Sequence, residues 1–140
     1  MPITYRDTRE FGAGQLRELF LSVGWSSGKD PEKLVQAMRN SDTVVSAWEG
    51  DRLVGLINCL SDGVMTAYFH YLLVRPEYQS QGIGRALVEM MLDRYSRCLR
   101  KVLIADNEQV GFYEKCGFVA GTGTTALFLD EDPEMTGDVL

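Results

Sequence analysis

The segment VRPEYQSQGIGRAL, residues 74–87, is the most informative part of this 140-residue chain. β-forming residues run into it, and Pro76 must end their strand because proline has no N–H to donate to a sheet. Gly82 and Gly84 then permit backbone angles and a close ligand approach that a Cβ would forbid. Beyond Gly84, apolar residues recur at helical spacing, beginning with Leu87. The segment therefore predicts a strand, a glycine turn and a helix.

This glycine turn has the chemistry of an anion site. A helix that starts behind it offers unpaired N–H groups and the positive end of its dipole, which suit a pyrophosphate. Gln79 and Arg85 can add side-chain donors. Two other interpretations stay open: the glycines only make a tight turn, or they belong to a dinucleotide fingerprint with Asp106 as its ribose-binding acid. The fingerprint is disfavoured because Leu87 stands where it needs a small residue, and because 140 residues cannot hold two mononucleotide-binding halves and a substrate region.

The regions on both sides of the turn predict one α/β (α+β) domain over residues 1–140. β-rich runs predict strands at 43–48, 53–60, 65–74, 102–105, 118–119 and 124–129, of which the run at 102–105 is short and buried. Apolar periodicity predicts helices at 11–21, at 31–39 behind an Asp30 N-cap, for about four turns from Gly84, and at 110–116 before Gly117. The central strand–helix–strand unit makes its two strands parallel. We therefore expect a mixed, mostly antiparallel sheet with a central parallel strand pair, flanked by helices.

Composition and charge narrow the classes of function. A hydrophobic fraction of 45% with 24% charged residues is typical of a globular protein. The net charge of −6 disfavours a nucleic-acid partner, because phosphate binding needs clustered Lys and Arg. Five acidic residues and no Lys or Arg follow Lys115, so the chain up to that point sums to only −1, and an acidic cofactor is not excluded there. No apolar run is long enough for a membrane span and the N-terminus lacks a signal-peptide stretch, so we expect no membrane partner and a cytoplasmic location.

The cysteines and the single histidine give no support for a disulfide framework or a metal site. Cys59, Cys98 and Cys116 are odd in number, widely spaced and without a C-x-x-C pair. His70 is the only histidine, so a zinc site of His and Cys is poorly supported. We expect three buried structural thiols and no metal.

Two segments carry a resemblance to a known family. Residues 74–87 resemble the Q/R-x-x-G-x-G/A acetyl-CoA motif of the GNAT N-acetyltransferase superfamily. Asp106 and Asn107, followed by GFYEKCGF at 111–118, resemble that family's second signature, and the hairpin around Gly55 is also similar. The match covers roughly residues 43–120. Residues 23–25 and 37–41 are similar to the plastid-type arylalkylamine (serotonin) acetyltransferase branch.

The resemblance implies that acetyl-CoA is the cosubstrate. Backbone amides of residues 81–86 would hold the pyrophosphate, and two strand residues would pair with the pantetheine arm like an added strand. The side chain of Asn107 would contact the same arm, and Tyr113 would stand beside the sulfur. The implied cofactor-binding residues are Leu73, Val74, Gln79, Gln81, Gly82, Ile83, Gly84, Arg85, Ala86, Asn107, Phe112 and Tyr113.

Acetyl transfer to an amine needs an acid, an oxyanion donor and a base. Tyr113 suits protonation of the leaving thiolate, and a core aromatic is the alternative role for its ring. A backbone N–H near Leu72 or Leu73 is the expected oxyanion donor. The family often has a carboxylate base on the preceding strand, but this chain has no acidic residue there. His70, with an ordinary pKa near 6.5, is the candidate base, with a packing role for His70 or a water chain as the alternatives.

Three aromatic residues are the candidates for binding the acceptor. Trp25, Tyr68 and Tyr71 would line a pocket for an amine with an apolar group, unless Trp25 only anchors its loop. The leading hypothesis is an N-acetyltransferase of a small-molecule primary amine, with arylalkylamines among the candidates. A CoA-binding module without turnover and a protein-lysine acetyltransferase are the alternatives. Exposed sheet edges make a homodimer a further expectation.

Overall fold

The computed structural model describes residues 2–136, which form one sheet with flanking helices. The strands are β1 (Ile3–Asp7), β2 (Thr43–Glu49), β3 (Arg52–Ser61), β4 (Thr66–Val74) and β5 (Arg100–Leu103). The helices are α1 (Ala13–Ser22), α2 (Pro31–Asn40), α3 (Ile83–Arg94), α4 (Val110–Lys115) and α5 (Pro133–Thr136). Short 3₁₀ turns lie at Ser26–Lys29, Pro76–Tyr78 and Asn107–Gln109.

The sheet confirms the mixed, mostly antiparallel architecture. Its order is β1-β2-β3-β4-β5, and only β4 and β5 are parallel. This parallel pair lies at one end of the described sheet and not at its centre, because no strands form at 118–119 and 124–129, where they were predicted. Leu127 and Leu129 are 89% and 85% exposed, so the β-forming residues of that segment have no partner surface.

Three other elements differ from the prediction. β1 was not predicted, since it owes its formation to pairing with β2, from Ile3 opposite Glu49 onward. β5 is a half-exposed edge strand and not a buried one, because it has a neighbour only in β4. α3 ends at Arg94 and is shorter than the four turns predicted from Gly84, so Leu99 lies beyond it and is 77% exposed.

The local signals for helix ends were correct. The Asp30 carboxylate accepts the N–H of Lys33 at 3.3 Å, and Pro31 occupies the first turn of α2. Gly117 has φ +100° directly after α4 and its Cys116 cap, as a closing glycine should. These helix ends depend only on residues adjacent in the chain, and they can therefore be predicted from the sequence alone.

Helices cover both faces of the sheet. Successive strand residues point to opposite faces, yet residues 53–59 of β3 are all buried. Tyr71 packs against Phe20 of α1, whereas a Cβ at Gly55 would lie near Val74 and Leu87 of α3. Residues 71 and 74 point to opposite faces, so α1 and α3 form two outer layers around the sheet.

A bulge interrupts β4 beside the cavity described below. The pairing with β3 passes from Ile57 opposite Leu72 to Cys59 opposite Phe69. Asn58 therefore stands against two residues, His70 and Tyr71, which is the arrangement of a β-bulge.

The three thiols match the prediction only in part. Cys59 and Cys98 are buried as expected, but Cys116 is only half-buried because it lies at the exposed end of α4. Within residues 2–136, no group of His, Cys, Asp and Glu side chains is arranged to hold a metal ion. The same residues include no helix with the length and apolar character to cross a membrane.

Candidate functional site

A cavity of about 520 Å³ lies where β4 and β5 separate. Four parts of the chain form its walls: the end of β4, the glycine turn with the start of α3, the loop after β5 with α4, and residues 23 and 25. The cavity thus joins the two segments that sequence analysis singled out.

The end of β4 offers a free main-chain edge to this cavity. Pairing between β4 and β5 runs only from Thr66 opposite Arg100 to Phe69 opposite Leu103. β4 continues for five more residues, and Leu72, Leu73 and Val74 line the cavity. In the described residues, the β5 side of this stretch is therefore open to an added strand.

Alternation along β4 decides which backbone groups face the cavity. The N–H of Arg75 donates to Val54 O at 2.8 Å. Because the direction of the main-chain N–H and C=O groups alternates along a strand, these groups of residues 75 and 73 point toward β3. Leu72 and Val74 consequently turn theirs toward the cavity. Val74 O is already bound by Gln79 Nε2 at 2.9 Å. The groups left for a ligand are both polar groups of Leu72 and the N–H of Val74, so Leu72 has the main-chain position that sequence analysis had given to Leu73.

The glycine turn has two residues in the left-handed region. Gly82 has φ +85° and caps α3, and Ser80 has φ +63°, a conformation that costs energy for a residue with a Cβ. The first helical bond of α3 is Ala86 N–H to Gly82 O at 3.0 Å. The N–H groups of residues 83–85 therefore have no partner within the helix. They are the donors that the predicted anion site requires.

The side chains of the turn have different roles from those expected. Gln79 lines the cavity, but its side-chain amide donates a hydrogen bond to Val74 O. Gln81 is exposed, donates to Glu77 O at 3.4 Å and does not line the cavity. Arg85 lines the cavity and pairs with Glu89 at 2.8 Å. Ala86 contributes to the helix ladder and not to the cavity wall.

Tyr113 and Phe112 form the wall opposite β4. Their rings meet edge to face at 5.0 Å, and Phe112 also lies 3.5 Å from where a Cβ of Gly84 would be. Tyr113 is 5% exposed, and this burial raises the pKa of its phenol well above 10, with Cys116 as a smaller cause. Tyr113 therefore keeps its proton at neutral pH.

The loop after β5 contributes cavity residues that were not among the predicted cofactor-binding residues. Asp106, Glu108 and Gln109 line the cavity, whereas Asn107 does not. The Asp106 carboxylate accepts the N–H of Glu108 at 3.0 Å and so shapes the turn. Their position next to Asn107 in the second signature was the available signal.

Tyr78, Ser80 and Val23 are also lining residues that were not selected. The Tyr78 hydroxyl donates to Glu49 Oε1 at 2.7 Å, which ties the turn to the end of β2. Its position inside the 74–87 segment could have indicated it.

The candidate base and two of the acceptor residues lie off the cavity wall. The His70 ring stacks on the Tyr71 ring, with 3.9 Å between the ring centroids, and on the Tyr68 ring, with 5.6 Å between them. None of these three rings lines the cavity. Burial lowers the pKa of His70 below 6.5. Tyr71 is enclosed by Phe20 at 5.1 Å and Trp25 at 5.9 Å. Of the proposed acceptor residues, only Trp25 reaches the cavity.

Comparisons with known proteins agree with this geometry. The family model described as "Acetyltransferase (GNAT) domain" matches residues 23–126. Histone acetyltransferase TAP1 of Glycine max is 34% identical over 118 residues, which are 75% of this chain and 51% of that protein. Serotonin N-acetyltransferase 2, chloroplastic, of Oryza sativa subsp. japonica is 29% identical over 119 residues, 81% of this chain and 59% of that protein. The chain thus spans between half and three fifths of the length of these two relatives.

The fold also matches solved structures. A putative acetyltransferase from Deinococcus radiodurans R1 superposes with a TM-score of 0.80 at 28% identity, over 92% of this chain and 88% of the other.

Proposed function

Because the chain belongs to the GNAT acetyltransferase family, we propose that it transfers an acetyl group from acetyl-CoA to the primary amine of a small molecule. The observation that carries this proposal is the meeting of three features at one cavity: the edge of β4 that β5 leaves open, the amides of residues 83–85 that have no partner within α3, and the protonated phenol of Tyr113.

The residues of the cavity fit acetyl-CoA by the chemistry of their donors. The N–H groups of residues 83–85 suit a pyrophosphate, since they combine unpaired donors with the positive end of α3. Leu72 and Val74 offer main-chain groups to the amide-bearing arm, as in strand addition. When bound there, acetyl-CoA supplies an activated acetyl thioester and accepts a proton on its sulfur as it leaves.

Tyr113 is the proposed proton donor and Leu72 the proposed oxyanion donor. The raised pKa keeps the phenol protonated, which is the state that an acid needs. The Leu72 N–H faces the cavity and can donate to the oxygen that becomes negative as the amine attacks. Leu72 and Tyr113 both line the cavity.

The base stays a prediction. The lowered pKa of His70 leaves its ring neutral at pH 7, the form that accepts a proton. Because the ring does not line the cavity, a proton would have to reach it through water.

The acceptor is proposed to be an amine with an apolar group, and arylalkylamines come first. Trp25 and Val23 give the cavity an apolar wall beside the β4 edge. The serotonin acetyltransferase named above supports this choice. The relative named a histone acetyltransferase favours a lysine side chain as the second candidate.

A calorimetric titration with acetyl-CoA, followed by thiol release with a panel of amines, tests the proposal. The panel should include arylalkylamines, aliphatic amines and a lysine-containing peptide. Release with an arylalkylamine supports the small-molecule enzyme, and release with the peptide alone supports the second candidate. Binding without release on any amine would favour a CoA-binding module, and no binding would overturn the proposal.

We also propose a homodimer formed through exposed sheet edges. β1 and β5 are the two edge strands of the described sheet, and Leu127, Phe128 and Leu129 are apolar and exposed. Sedimentation velocity over a range of concentrations decides this point.

The cytoplasmic location stays a prediction.

A further inference from the structure

We propose that Asn58 is a positioning residue for acetyl transfer. Its side chain fixes the bulge in β4 that turns the main-chain groups of Leu72 toward the cavity. The inference rests on the proposed function, because it concerns how the oxyanion donor of that reaction is oriented.

The Asn58 side chain completes a backbone ladder that the bulge has broken. Asn58 Oδ1 accepts the N–H of Tyr71 at 2.8 Å. In a regular antiparallel pair, a main-chain oxygen of β3 would accept that N–H. The side-chain amide therefore takes over a main-chain role at the one place where β4 has an extra residue.

The other end of the amide is tied to α2. Asn58 Nδ2 donates to Ser41 Oγ at 3.1 Å, and Ser41 Oγ donates to Ala37 O at 2.8 Å. Asn58 is 1% exposed and Ser41 is fully buried. Because both ends of the Asn58 amide are bonded in the core, its orientation is fixed, and with it the position of the Tyr71 N–H.

The bulge reverses the faces of β4. Phe69 packs against Tyr95 and Phe118, whereas Tyr71 packs against Phe20 and Trp25 on the α1 side. Residues two positions apart in a regular strand share a face, so these contacts place the reversal between residues 69 and 71.

The same reversal sets the direction of the main-chain groups beyond it. Leu72 faces the cavity because Tyr71 and Leu73 face β3. Without the extra residue, the register would slip by one and Leu72 would turn its N–H toward β3. Asn58 thus decides which amide reaches the cavity.

An asparagine is not needed at this position for packing alone. A buried site between two strands accommodates an apolar residue of the same number of heavy atoms, such as leucine, at a small packing cost. What leucine lacks is an acceptor, so the buried N–H of Tyr71 would lose its partner. This difference separates positioning from simple core packing.

The test compares Asn58→Leu, Asn58→Asp and Ile57→Val in thiol-release assays with the most active amine of the panel. Asn58→Leu should lower kcat about 10²-fold because the oxyanion donor moves, and it should raise KM for acetyl-CoA by a smaller factor, because Leu72 also contacts the arm while the binding groups at residues 83–85 stay. Asn58→Asp should keep most of kcat, since burial favours the protonated acid, which accepts from Tyr71 and donates to Ser41. Ile57→Val, a core change next in sequence, should leave kcat unchanged.

Amide hydrogen exchange gives a readout that does not depend on turnover. The Tyr71 amide should exchange faster in Asn58→Leu and keep its protection in Asn58→Asp and Ile57→Val. A folded Asn58→Leu protein with unchanged kcat, or an equal loss of kcat in Ile57→Val, overturns the inference. If Asn58→Leu does not fold, Ser41→Ala takes its place, and an unchanged kcat in that variant overturns the inference as well.

Failure of the proposed function gives a different result. A wild-type protein that binds acetyl-CoA without releasing thiol overturns the enzyme but not the positioning. In that case, acetyl-CoA should shift the NMR amide signal of Leu72 in the wild type and not in Asn58→Leu. An equal shift in both proteins overturns the inference.

Discussion

Single residues carry much of the site, and their exact roles depended on contacts that sequence does not reveal. Tyr113 was predicted as a cavity residue from its signature, and it lines the cavity. His70, Tyr68 and Tyr71 were also selected, but they stack with one another away from the cavity wall. Sequence also does not reveal the bulge opposite Asn58, at which the consecutive residues His70 and Tyr71 stack on each other.

Replacement of Tyr113 by phenylalanine tests the acid. The ring and its packing stay, but the proton donor is lost, so kcat should fall by roughly 10²- to 10⁴-fold. Affinity for acetyl-CoA should change little, as measured by calorimetry. An equal loss of affinity would identify Tyr113 as a packing residue.

In the wild type, the raised pKa predicts no loss of kcat from Tyr113 ionisation between pH 7 and about 10.

His70 gives a second test at this scale through the pH dependence of stability. Burial lowers the pKa of His70, so the unfolded chain takes up a proton below about pH 6.5 that the folded chain does not. The stability due to the neutral ring is therefore present above pH 6.5 and is lost as the pH falls through the folded pKa. Between pH 7 and 5, Tm should fall further in the wild type than in His70→Gln. Parallel curves would contradict the burial of a neutral ring.

Gly82 allows a matched experiment on the anion site. Gly82 and Gly63 have φ of +85° and +80°, and a Cβ at either would meet nothing within 4 Å. Alanine at each position should therefore cost a similar 1–2 kcal/mol or so in unfolding free energy from the left-handed conformation. Only Gly82→Ala should weaken acetyl-CoA binding, since Gly63 lies in the β3–β4 turn. If calorimetry gives the Gly82→Ala and Gly63→Ala variants equal affinities for acetyl-CoA, the glycine turn is excluded as the binding site.

At the scale of elements, the turns and helix ends that depend on adjacent residues were predicted correctly, whereas the pairing of strands was not. The glycine turn, the Asp30 cap and the Gly117 terminus follow from adjacent residues, and all three are confirmed. β1 was missed and the strand at 124–129 was wrong. In both cases, a partner elsewhere in the chain determines whether extended residues form a ladder.

The close approach of β3 and β4 leads to a prediction about Gly55. A Cβ there would lie 3.0 Å from Leu73 O and 3.2 Å from Val74 Cγ2. Gly55→Ala should destabilise the protein by about 1–3 kcal/mol, because the backbone oxygen cannot move without shifting β4. Gly14→Ala is the control, since a Cβ in that α1 position meets nothing within 4 Å and should stabilise by roughly 0.5–1 kcal/mol. Urea unfolding compares the two, and a harmless Gly55→Ala would contradict the tight packing.

At the scale of the whole molecule, the resemblance predicted the architecture more completely than composition could. Composition limited the chain to a globular domain, whereas two motifs in order implied the mixed sheet that the structure has. What neither indicated is the exposed stretch that includes Leu127 and Leu129.

That stretch makes the proposed dimer testable. In a monomer, the double substitution Leu127→Ser and Leu129→Ser should leave the unfolding free energy nearly unchanged, because both side chains are exposed. If the segment contributes to the dimer, the same variant should dissociate at higher concentration than the wild type in sedimentation experiments. Identical dissociation would place the interface elsewhere.

The open edge of β4 past Phe69 also has a thermodynamic consequence. A ligand that occupies this edge adds a strand which the polypeptide does not supply, and the unfolded chain has no such edge to offer. Binding and folding are then linked by mass action. At a free concentration 100 times its Kd, such a ligand stabilises the folded protein by about 2.7 kcal/mol. The half-life of this small domain in the cell should therefore rise and fall with the supply of the ligand that occupies the edge.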